Sequence, residues 1–500
     1  MLIDYALFGD VVAFDTTFGT NKEHRPLGVF VGFNHFRETT VFGAALLYDE
    51  TVESFKWLFE TFLATHGNKK PKTIFTDQDI AMGKAILEVI PDVWHGLCTW
   101  HITENATKHI LRDGLDVLRA FKACMYDYKE EAEFEKAFEA LRGKVTKGTW
   151  LDSIYALKRK WAECYMTNVF SLGMRSTQLS ESFNKDLKDY LKCNMDIIRF
   201  FKQFERVLGL KCQNELNNEF DSREKLPRIK MKRTPLLRQV SQIYTPNIFE
   251  AFQDEYEWST AAYIKPCVEG QLTNEYRVVI SDPENDNCFG KEYQLLDDPS
   301  TKTVSCSCKM FERLGLLCSH ALKVLDTMNI KLVPEKYILK RWTKESRSEF
   351  VEDISGRAIL EDPRLDATRR YKSLCQKLVK VASRASNFEE SSSLLENGLN
   401  NLISEVDKLF MSLAIEKGRA SSDVNSSEQL QACVSNNITL KPKEGKKGGK
   451  RRQNWTGKFH DASTQVSRSK QTKHNKKKVP NHPNSENIPP QVSRNHNFIK

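Results

Sequence analysis

Short apolar runs of strand length alternate with amphipathic segments over the first 112 residues of the chain. Five runs are rich in β-branched or aromatic residues, at 11–15, 27–33, 40–47, 73–79 and 92–98. Helical spacing of i, i+3, i+4 and i+7 follows the third run, at Phe55, Leu58, Phe59 and Phe62. A second helical pattern separates the fourth and fifth runs. The order of three strands, helix, strand, helix and strand predicts an α/β domain.

The pattern changes after the fifth run. Residues 103–170 are polar and rich in Lys, Glu and Ala, which predicts helices, and a helix with one apolar face follows at about 176–192. More helix is expected to about residue 218, and the sequence REKLPRIKMKRTP at 223–235 indicates a basic linker. A small β-rich segment then occupies 270–330.

Apolar residues alternate steps of four and three near the carboxyl end. They are Leu395, Leu399, Leu402, Val406, Leu409 and Leu413. This spacing fits a short coiled-coil seam at 395–413, through which the chain could form a homo- or hetero-oligomer. It fits equally an amphipathic helix packed on its own domain. Beyond Gly418 the chain is rich in Ser, Asn, Lys and Pro, and we expect disorder.

The net charge of +9 is unevenly distributed. Residues 441–500 carry a balance of +13, so the preceding part carries −4 and has no global bias toward nucleic acid. Basic clusters at 441–453 and 470–478 fit nuclear import, nucleic-acid contacts or solvated charge, and we favour import. No apolar run approaches the roughly 18 residues of a membrane span, and the scattered Cys residues indicate reduced thiols inside the cell.

Two carboxylates end predicted strands. Asp15 ends the first run and Asp77 the fourth, so both lie at one sheet edge if these strands are neighbours. Adjacent anions repel, and Mg²⁺ between them would relieve the repulsion and serve phosphodiester chemistry. Such sites take a third acid from a later helix, and Glu181 in LSESFN is the candidate, although it falls off the centre of its helix's apolar stripe. For Asp15 alone, a turn or cap role is the commoner alternative.

Two Cys and His patterns follow further along the chain. His95, Cys98 and His101 form an HxxCxxH pattern that lacks a clear fourth ligand, so a metal site competes there with a hydrogen-bonded anchor for the helical segment. The stronger pattern is Cys306, Cys308, Cys318 and His320. Three thiolates and one imidazole complete a tetrahedral set for structural Zn²⁺, with the first pair ending a strand and the second opening a helix.

Several motifs carry a resemblance to known families. FDTTF, TDQD, HGLCTWHITEN and RSTQLSESFN are similar to the core of Mutator-like element (MULE) transposases. More narrowly, GDVVAFDTTF, LGVFVGFNHF and LLYDETVESFKWLFETFL resemble the plant far-red impaired response family of transposase-derived nuclear transcription regulators. The Cys and His pattern resembles a SWIM zinc finger, a module associated with DNA or protein binding.

The resemblance covers about residues 1–340. It implies an RNase H-like core of the DDE transposase type, with a helical insertion before the third acid, and it implies that Asp15, Asp77 and Glu181 match the transposase triad. The predicted organisation is an RNase H-like domain at 1–205, a helical and basic linker at 206–268, a SWIM-type module at 270–330, a helical region at 340–417 and a disordered basic tail at 418–500.

Three functions compete. We favour a domesticated transposase that acts in the nucleus as a zinc-binding, DNA- or chromatin-associated regulator of transcription. An active transposase that cuts and joins DNA with Mg²⁺ is the alternative, and an oligomeric scaffold is a third. The amino-terminal DNA-binding zinc domain usual in the family has no counterpart in this sequence, so we expect DNA contact through the SWIM module, the tail or a partner.

Overall fold

The computed structural model describes residues 1–348 apart from 147, 226, 270–273 and 281–291, isolated positions between 370 and 386, and residues 388–420. The side chains of a few further residues, Glu181 among them, are also outside the described part. The predicted tail from 421 onward lies outside the described residues, so its expected disorder stays a prediction.

A five-stranded mixed sheet organises the amino-terminal part. Its strands are β1 (Val11–Thr17), β2 (Leu27–Phe33), β3 (Thr39–Leu46), β4 (Thr73–Thr76) and β5 (Trp94–Leu97). The spatial order is β3-β2-β1-β4-β5, in which β1, β2 and β3 are antiparallel and β4 is parallel to β1 and β5. Because Ala13 on β1 pairs with Phe75 on β4, the residues that follow these two strands emerge at the same sheet edge.

Both faces of this sheet are buried, as its continuous apolar runs predict. On one face, Phe14 and Phe30 pack against Phe55 and Phe59. That face is covered by α1 (Leu2–Phe8), α2 (Val52–Thr65) and α3 (Ile80–Val89). Two helix starts are capped by side chains, since Thr51 accepts from the Ser54 amide and Asp79 from the Met82 amide.

A helical insertion follows β5 and has its own core. It contains α4 (Thr99–Ile110), α5 (Leu115–Tyr126), α6 (Glu131–Arg142) and α7 (Thr149–Ala156). Phe121, Phe134, Phe138 and Trp161 are fully buried at its centre. The helical character predicted for 103–170 therefore agrees with the observed elements.

The segment predicted as a linker is instead part of the folded body. It continues from α8 (Gln178–Tyr190) through α9 (Ile197–Glu224), α10 (Pro235–Ile243) and α11 (Pro246–Thr260). Leu237, Val240, Phe249 and Phe252 are buried in the cluster that also contains Val11. The basic sequence predicted a solvated connection. The apolar residues that follow it at helical spacing are instead buried against the second face of the first sheet, and this burial holds the segment in the folded body.

A four-stranded antiparallel sheet and two short helices form the last module before residue 330. The elements are β6 (Ala262–Glu269), β7 (Asn274–Ile280), β8 (Glu292–Asp298), β9 (Thr303–Cys306), α12 (Met310–Leu314) and α13 (Ser319–Thr327). Val278, Leu295 and Leu325 belong to the same buried cluster as Val11 and Val31 of the first sheet. The two sheets therefore share one continuous hydrophobic core.

A long helix, α14 (Glu389–Ala420), contains the predicted heptad positions. Leu402, Val406 and Leu409 are exposed on it, which disfavours packing of this stripe on the described part of its own chain. The Leu413 side chain lies outside the described residues. Within the described part of the chain, no helix combines the length and apolarity needed to cross a bilayer.

Candidate functional sites: an acidic cleft and a metal centre

Asp15 and Asp77 line one cleft, with a volume of about 530 Å³, at the edge where β1 and β4 end. Asp15 is the third residue from the end of β1, and Asp77 follows directly after β4. The parallel pairing of the two strands brings the carboxylates to this edge, as the sequence predicts. Glu50 and Asp79 add two further carboxylates to the lining.

Asp15 is buried, with 7% of its surface exposed, and receives a hydrogen bond from α8. Asn184 Nδ2 donates to Asp15 Oδ2 at 3.1 Å. Asn184 was not recognised from the sequence, although it lies in the same SESFN motif as Glu181 and one helical turn later. The contact shows that α8 presents its amino-terminal half to the acidic cleft.

Asp77 is held by a tight turn. Its Oδ1 accepts from the Asp79 amide at 3.0 Å. Burial raises the pKa of Asp77, and the Asp79 amide and His101 only partly oppose that rise. A carboxyl group with a raised pKa beside other acids gains from a bound cation, because the cation restores the charged form.

The third acid stays a prediction. Glu181 lies on α8, but its side chain is outside the described residues. A complete triad with Asp15 and Asp77 is therefore not observed.

The HxxCxxH residues are not gathered into a metal site. His95 Nε2 lies 2.8 Å from Thr76 Oγ1, and its Nδ1 lies 3.1 Å from Lys160 Nζ. The Cys98 thiol accepts from the Thr177 amide at 3.3 Å, whereas His101 lines the acidic cleft. The three side chains therefore point to three different partners, and the structure supports the anchor interpretation over the metal interpretation.

The proton positions around His95 follow from its neighbours. The Thr76 hydroxyl donates to the Asp77 backbone oxygen at 2.9 Å, so it accepts from His95 Nε2–H, and Nδ1 accepts from Lys160. Burial, together with the nearby Lys160 ammonium, lowers the pKa of His95 to about 3. A neutral His95 thus ties the insertion to the backbone that carries Asp77.

Cys306, Cys308, Cys318 and His320 form a compact donor cluster, in which all four ligand atoms lie within 4.8 Å of one another. Within the described residues it is the one group of three or more Cys, His, Asp or Glu side chains with this geometry. Cys306 ends β9, and Cys318 is the N-cap of α13, where its thiol accepts from the Ala321 amide. Gly315, with φ of 72°, makes the left-handed turn between the two pairs.

The chemistry of the cluster fits zinc. Hydrogen bonds from the thiols of Cys306 and Cys318 hold the pKa of Cys308 well below its ordinary value, and the thiolate is the form that binds a metal. His320 is buried, its Nδ1 lies 3.8 Å from Cys306 Sγ, and its Nε2 has no hydrogen-bond partner. Three sulfur donors and one imidazole are the ligands that Zn²⁺ prefers.

The metal centre is joined to the rest of the body by buried polar contacts. Glu255 on α11 accepts from the Ser319 amide at 2.8 Å. Arg313, between the two ligand pairs, forms an ion pair with Glu163 of the insertion. The Glu163 carboxylate also contacts Arg175 and Lys129, and the side chain is fully excluded from solvent. Sequence reasoning missed this cluster because nothing in the pattern separates a buried Glu from a solvated one.

Comparisons with known proteins identify two domain families in the chain, and one of them contains the Cys and His cluster. The MULE transposase domain family matches residues 11–105, and the SWIM zinc finger family matches residues 276–329. The chain is therefore a mixed α/β protein that combines a MULE transposase domain with a SWIM zinc finger.

Individual relatives give a more specific likeness than the two domain families do. Protein FAR-RED IMPAIRED RESPONSE 1 of Arabidopsis thaliana is 31% identical over 394 residues, which cover 78% of this chain and 46% of that protein. Protein FAR1-RELATED SEQUENCE 5 of the same plant is 31% identical over 358 residues, covering 70% and 44%. The homologues of this chain are thus FAR1 and FAR1-related sequence proteins, and the likeness extends over most of the chain. It spans about half the length of these relatives.

Proposed function

We propose that the protein is a transposase-derived, zinc-binding nuclear protein that associates with DNA or chromatin and regulates transcription. The observation that carries the proposal is the family relationship, since relatives at 31% identity are named for an impaired response to far-red light. The matching MULE and SWIM domains support a transposase origin. Nuclear location and DNA as partner follow from this proposal.

The core is proposed to be RNase H-like. Support comes from the strand order β3-β2-β1-β4-β5, with an antiparallel trio followed by parallel strands. A helical insertion between β5 and α8 also fits the interrupted version expected for DDE transposases. The zinc is proposed to be structural, because four protein ligands would leave no open position for a substrate.

Active DNA cleavage is the second candidate. It is favoured by one observation, that Asp15 and Asp77 line the same cleft. If Mg²⁺ bound there, it would activate an attacking oxygen and stabilise a leaving one. Asn184 would orient Asp15, and His101 would face the same space.

A reporter experiment separates the two candidates. The full chain is tethered upstream of a reporter gene, beside an Asp15→Asn/Asp77→Asn variant and a Cys318→Ala variant. We expect the doubly substituted chain to change transcription as the wild type does and the Cys318 variant to lose the effect. An inert wild-type chain would contradict the regulatory function.

Cleavage is tested directly on the same proteins. Nicking and strand joining of DNA are measured with Mg²⁺ or Mn²⁺ for the wild type and for Asp77→Asn. Metal-dependent activity that disappears in the variant would favour the transposase. Equal silence from both, with zinc bound and the fold intact, is the result that the regulatory proposal expects.

A further inference from the structure

The connection between α9 and α10 is strongly basic. Residues 225–238 contain six Lys or Arg and no Asp or Glu. This local excess contrasts with the negative balance of the chain before its basic tail. Four of these cations, Arg228, Lys232, Arg233 and Arg238, are exposed, and we call them the basic strip.

The backbone under the basic strip is fixed. Gln253 on α11 is buried, and its Oε1 accepts from the Lys230 amide at 2.7 Å while its Nε2 donates to the Arg228 carbonyl at 3.3 Å. Arg238 Nε donates to the Lys232 carbonyl at 2.7 Å. One amide side chain thus holds both backbone groups that flank Ile229, so the cations project from an ordered support.

The charges of the basic strip are not neutralised within the described part of the chain. The charges of two neighbouring lysines are neutralised. Lys230 forms ion pairs with Asp254, at 3.0 Å, and with Glu257, and Lys225 pairs with Asp221. By contrast, none of the four strip cations forms an ion pair with a described residue. Four exposed, uncompensated charges so close together repel one another, and an anionic partner would relieve that repulsion.

A groove of about 720 Å³ runs beside the strip. Arg228, Lys230, Lys232 and Arg238 line it together with four uncharged residues, and no acidic side chain that the structure describes takes part. Its polar members include the exposed Gln242, whose amide can donate to anionic oxygens, whereas the Ser241 hydroxyl donates to the Arg238 carbonyl.

We propose that the basic strip is a docking surface for the phosphodiester backbone of duplex DNA. The inference rests on the proposed function, and it assigns to the folded body a DNA contact separate from the acidic cleft. Three of the four cations are Arg, whose planar guanidinium groups can each bind a phosphate through two hydrogen bonds. Such groups on an ordered backbone, beside a groove whose described lining has no acidic side chain, suit contact with phosphates at any base sequence.

The test measures the salt dependence of DNA binding by the full chain. A fluorescent 30-base-pair duplex of arbitrary sequence is titrated at several salt concentrations, and log K is plotted against log salt. The test variant is Arg228→Gln/Lys232→Gln/Arg233→Gln/Arg238→Gln. Loss of four phosphate contacts is expected to reduce the magnitude of the slope by about 3 to 4, at about 0.9 per contact.

A matched control removes the same charge elsewhere. Lys84→Gln/Arg119→Gln/Lys122→Gln/Lys136→Gln changes four exposed cations on α3, α5 and α6. We expect its slope to stay within about 1 of the wild-type value, since only direct contacts release counterions. A third variant, Arg228→Lys/Arg233→Lys/Arg238→Lys, keeps the charge and should keep the slope.

Each contrary outcome has a separate meaning. Equal loss of slope in test and control would show a long-range charge effect and overturn the docking surface. An unchanged slope in the test variant would overturn it while leaving DNA association intact. Binding of polyglutamate, an acidic polypeptide, is measured in parallel. If the test variant loses polyglutamate binding while its DNA slope is unchanged, the basic strip binds an acidic protein and not DNA. No DNA binding by the wild type would refute the proposed DNA association itself.

If the quadruple variant does not fold, Arg233→Gln alone must lower the slope by about 1.

Discussion

Arg313 Nη1 lies 2.9 Å from Glu163 Oε1, so α12, which lies between the two zinc-ligand pairs, is bound directly to the helical insertion. Arg175 reaches the other carboxylate oxygen at 2.7 Å, and Lys129 shares the first at 2.9 Å. One buried carboxylate therefore holds three cations that come from three separate parts of the chain. Without it, these cations would repel one another in a region from which water is largely excluded.

Replacement of Glu163 is expected to be strongly destabilising. Glu163→Gln keeps the volume but leaves the three cations uncompensated, and loss of one partner from a buried ion pair costs about 3 to 5 kcal/mol. Chemical denaturation measures the change. Asp326→Asn, which breaks an exposed pair with Lys331, is the control and should cost less than about 1 kcal/mol.

The same cluster predicts a pH dependence. Burial opposes ionisation of Glu163, but Arg175, Arg313 and Lys129 hold its pKa below the ordinary value of 4.5. A carboxyl group with a lowered pKa in the folded state contributes its full stability above the ordinary pKa and loses it as the pH falls through the folded-state pKa. The wild type should therefore lose more stability below about pH 4.5 than Glu163→Gln does. Parallel stability curves for the two proteins would refute this.

Cys318→Ala is expected to release the zinc. The thiol is both a ligand and the N-cap of α13, so its loss removes a bond to the metal and exposes the helix start. Metal analysis should give about one zinc per wild-type chain and almost none in the variant. Cys193→Ala changes an exposed cysteine and should retain the metal. Unchanged zinc in Cys318→Ala would disprove the ligand assignment.

Replacement of His95 should leave the zinc content unchanged, whereas replacement of His320 should abolish it. His95→Ala removes the link between Lys160 and Thr76, and about 1 to 3 kcal/mol of stability should be lost because buried partners are left unpaired. Its zinc content should equal that of the wild type. His320→Ala should lose zinc. A drop in zinc on replacing His95 would revive the HxxCxxH pattern as a metal site.

The predicted import signal is tested by deleting residues 441–478. The body should fold as before, because the buried cores described above are built from residues 5–342, and a fluorescent fusion should shift from the nucleus to the cytoplasm. The tail contains no segment of equal length that spares both basic clusters. The control is therefore the deletion variant with KPKEGKKGGKRRQ reattached. Nuclear accumulation without the segment would refute the import role.

Pairing through α14 is the last expectation. Leu402 and Leu409 are 53% and 59% exposed, and their burial in a second helix would remove apolar surface from water. Leu402→Glu/Leu409→Glu should convert an oligomer into a monomer in sedimentation experiments. The control Glu396→Gln/Glu405→Gln lies on the same helix and should leave the mass unchanged. A wild-type monomer would exclude this pairing.

Continuous apolar runs, helical spacing and local ligand spacing made much of this structure predictable. The five strands of the first sheet were located because they are buried on both faces and therefore continuously apolar. Cys306 and His320 were recognised because their ligand spacing is local. Contacts between distant segments, such as Asn184 with Asp15 or Glu163 with Arg313, leave no periodic signal. The packing of the helices after the basic connection was missed for a related reason, since their apolar residues bury against a surface that the local sequence does not reveal.

The shared core of the two sheets also limits how this chain can change. Val11 and Leu325 belong to one buried cluster, and Arg313 crosses from one module to the other. A SWIM finger moved in from another protein would arrive without its matching surface and would leave apolar residues of the first sheet in water. We therefore expect the two halves to be stable only together, and substitutions on one side of the shared core to be compensated on the other.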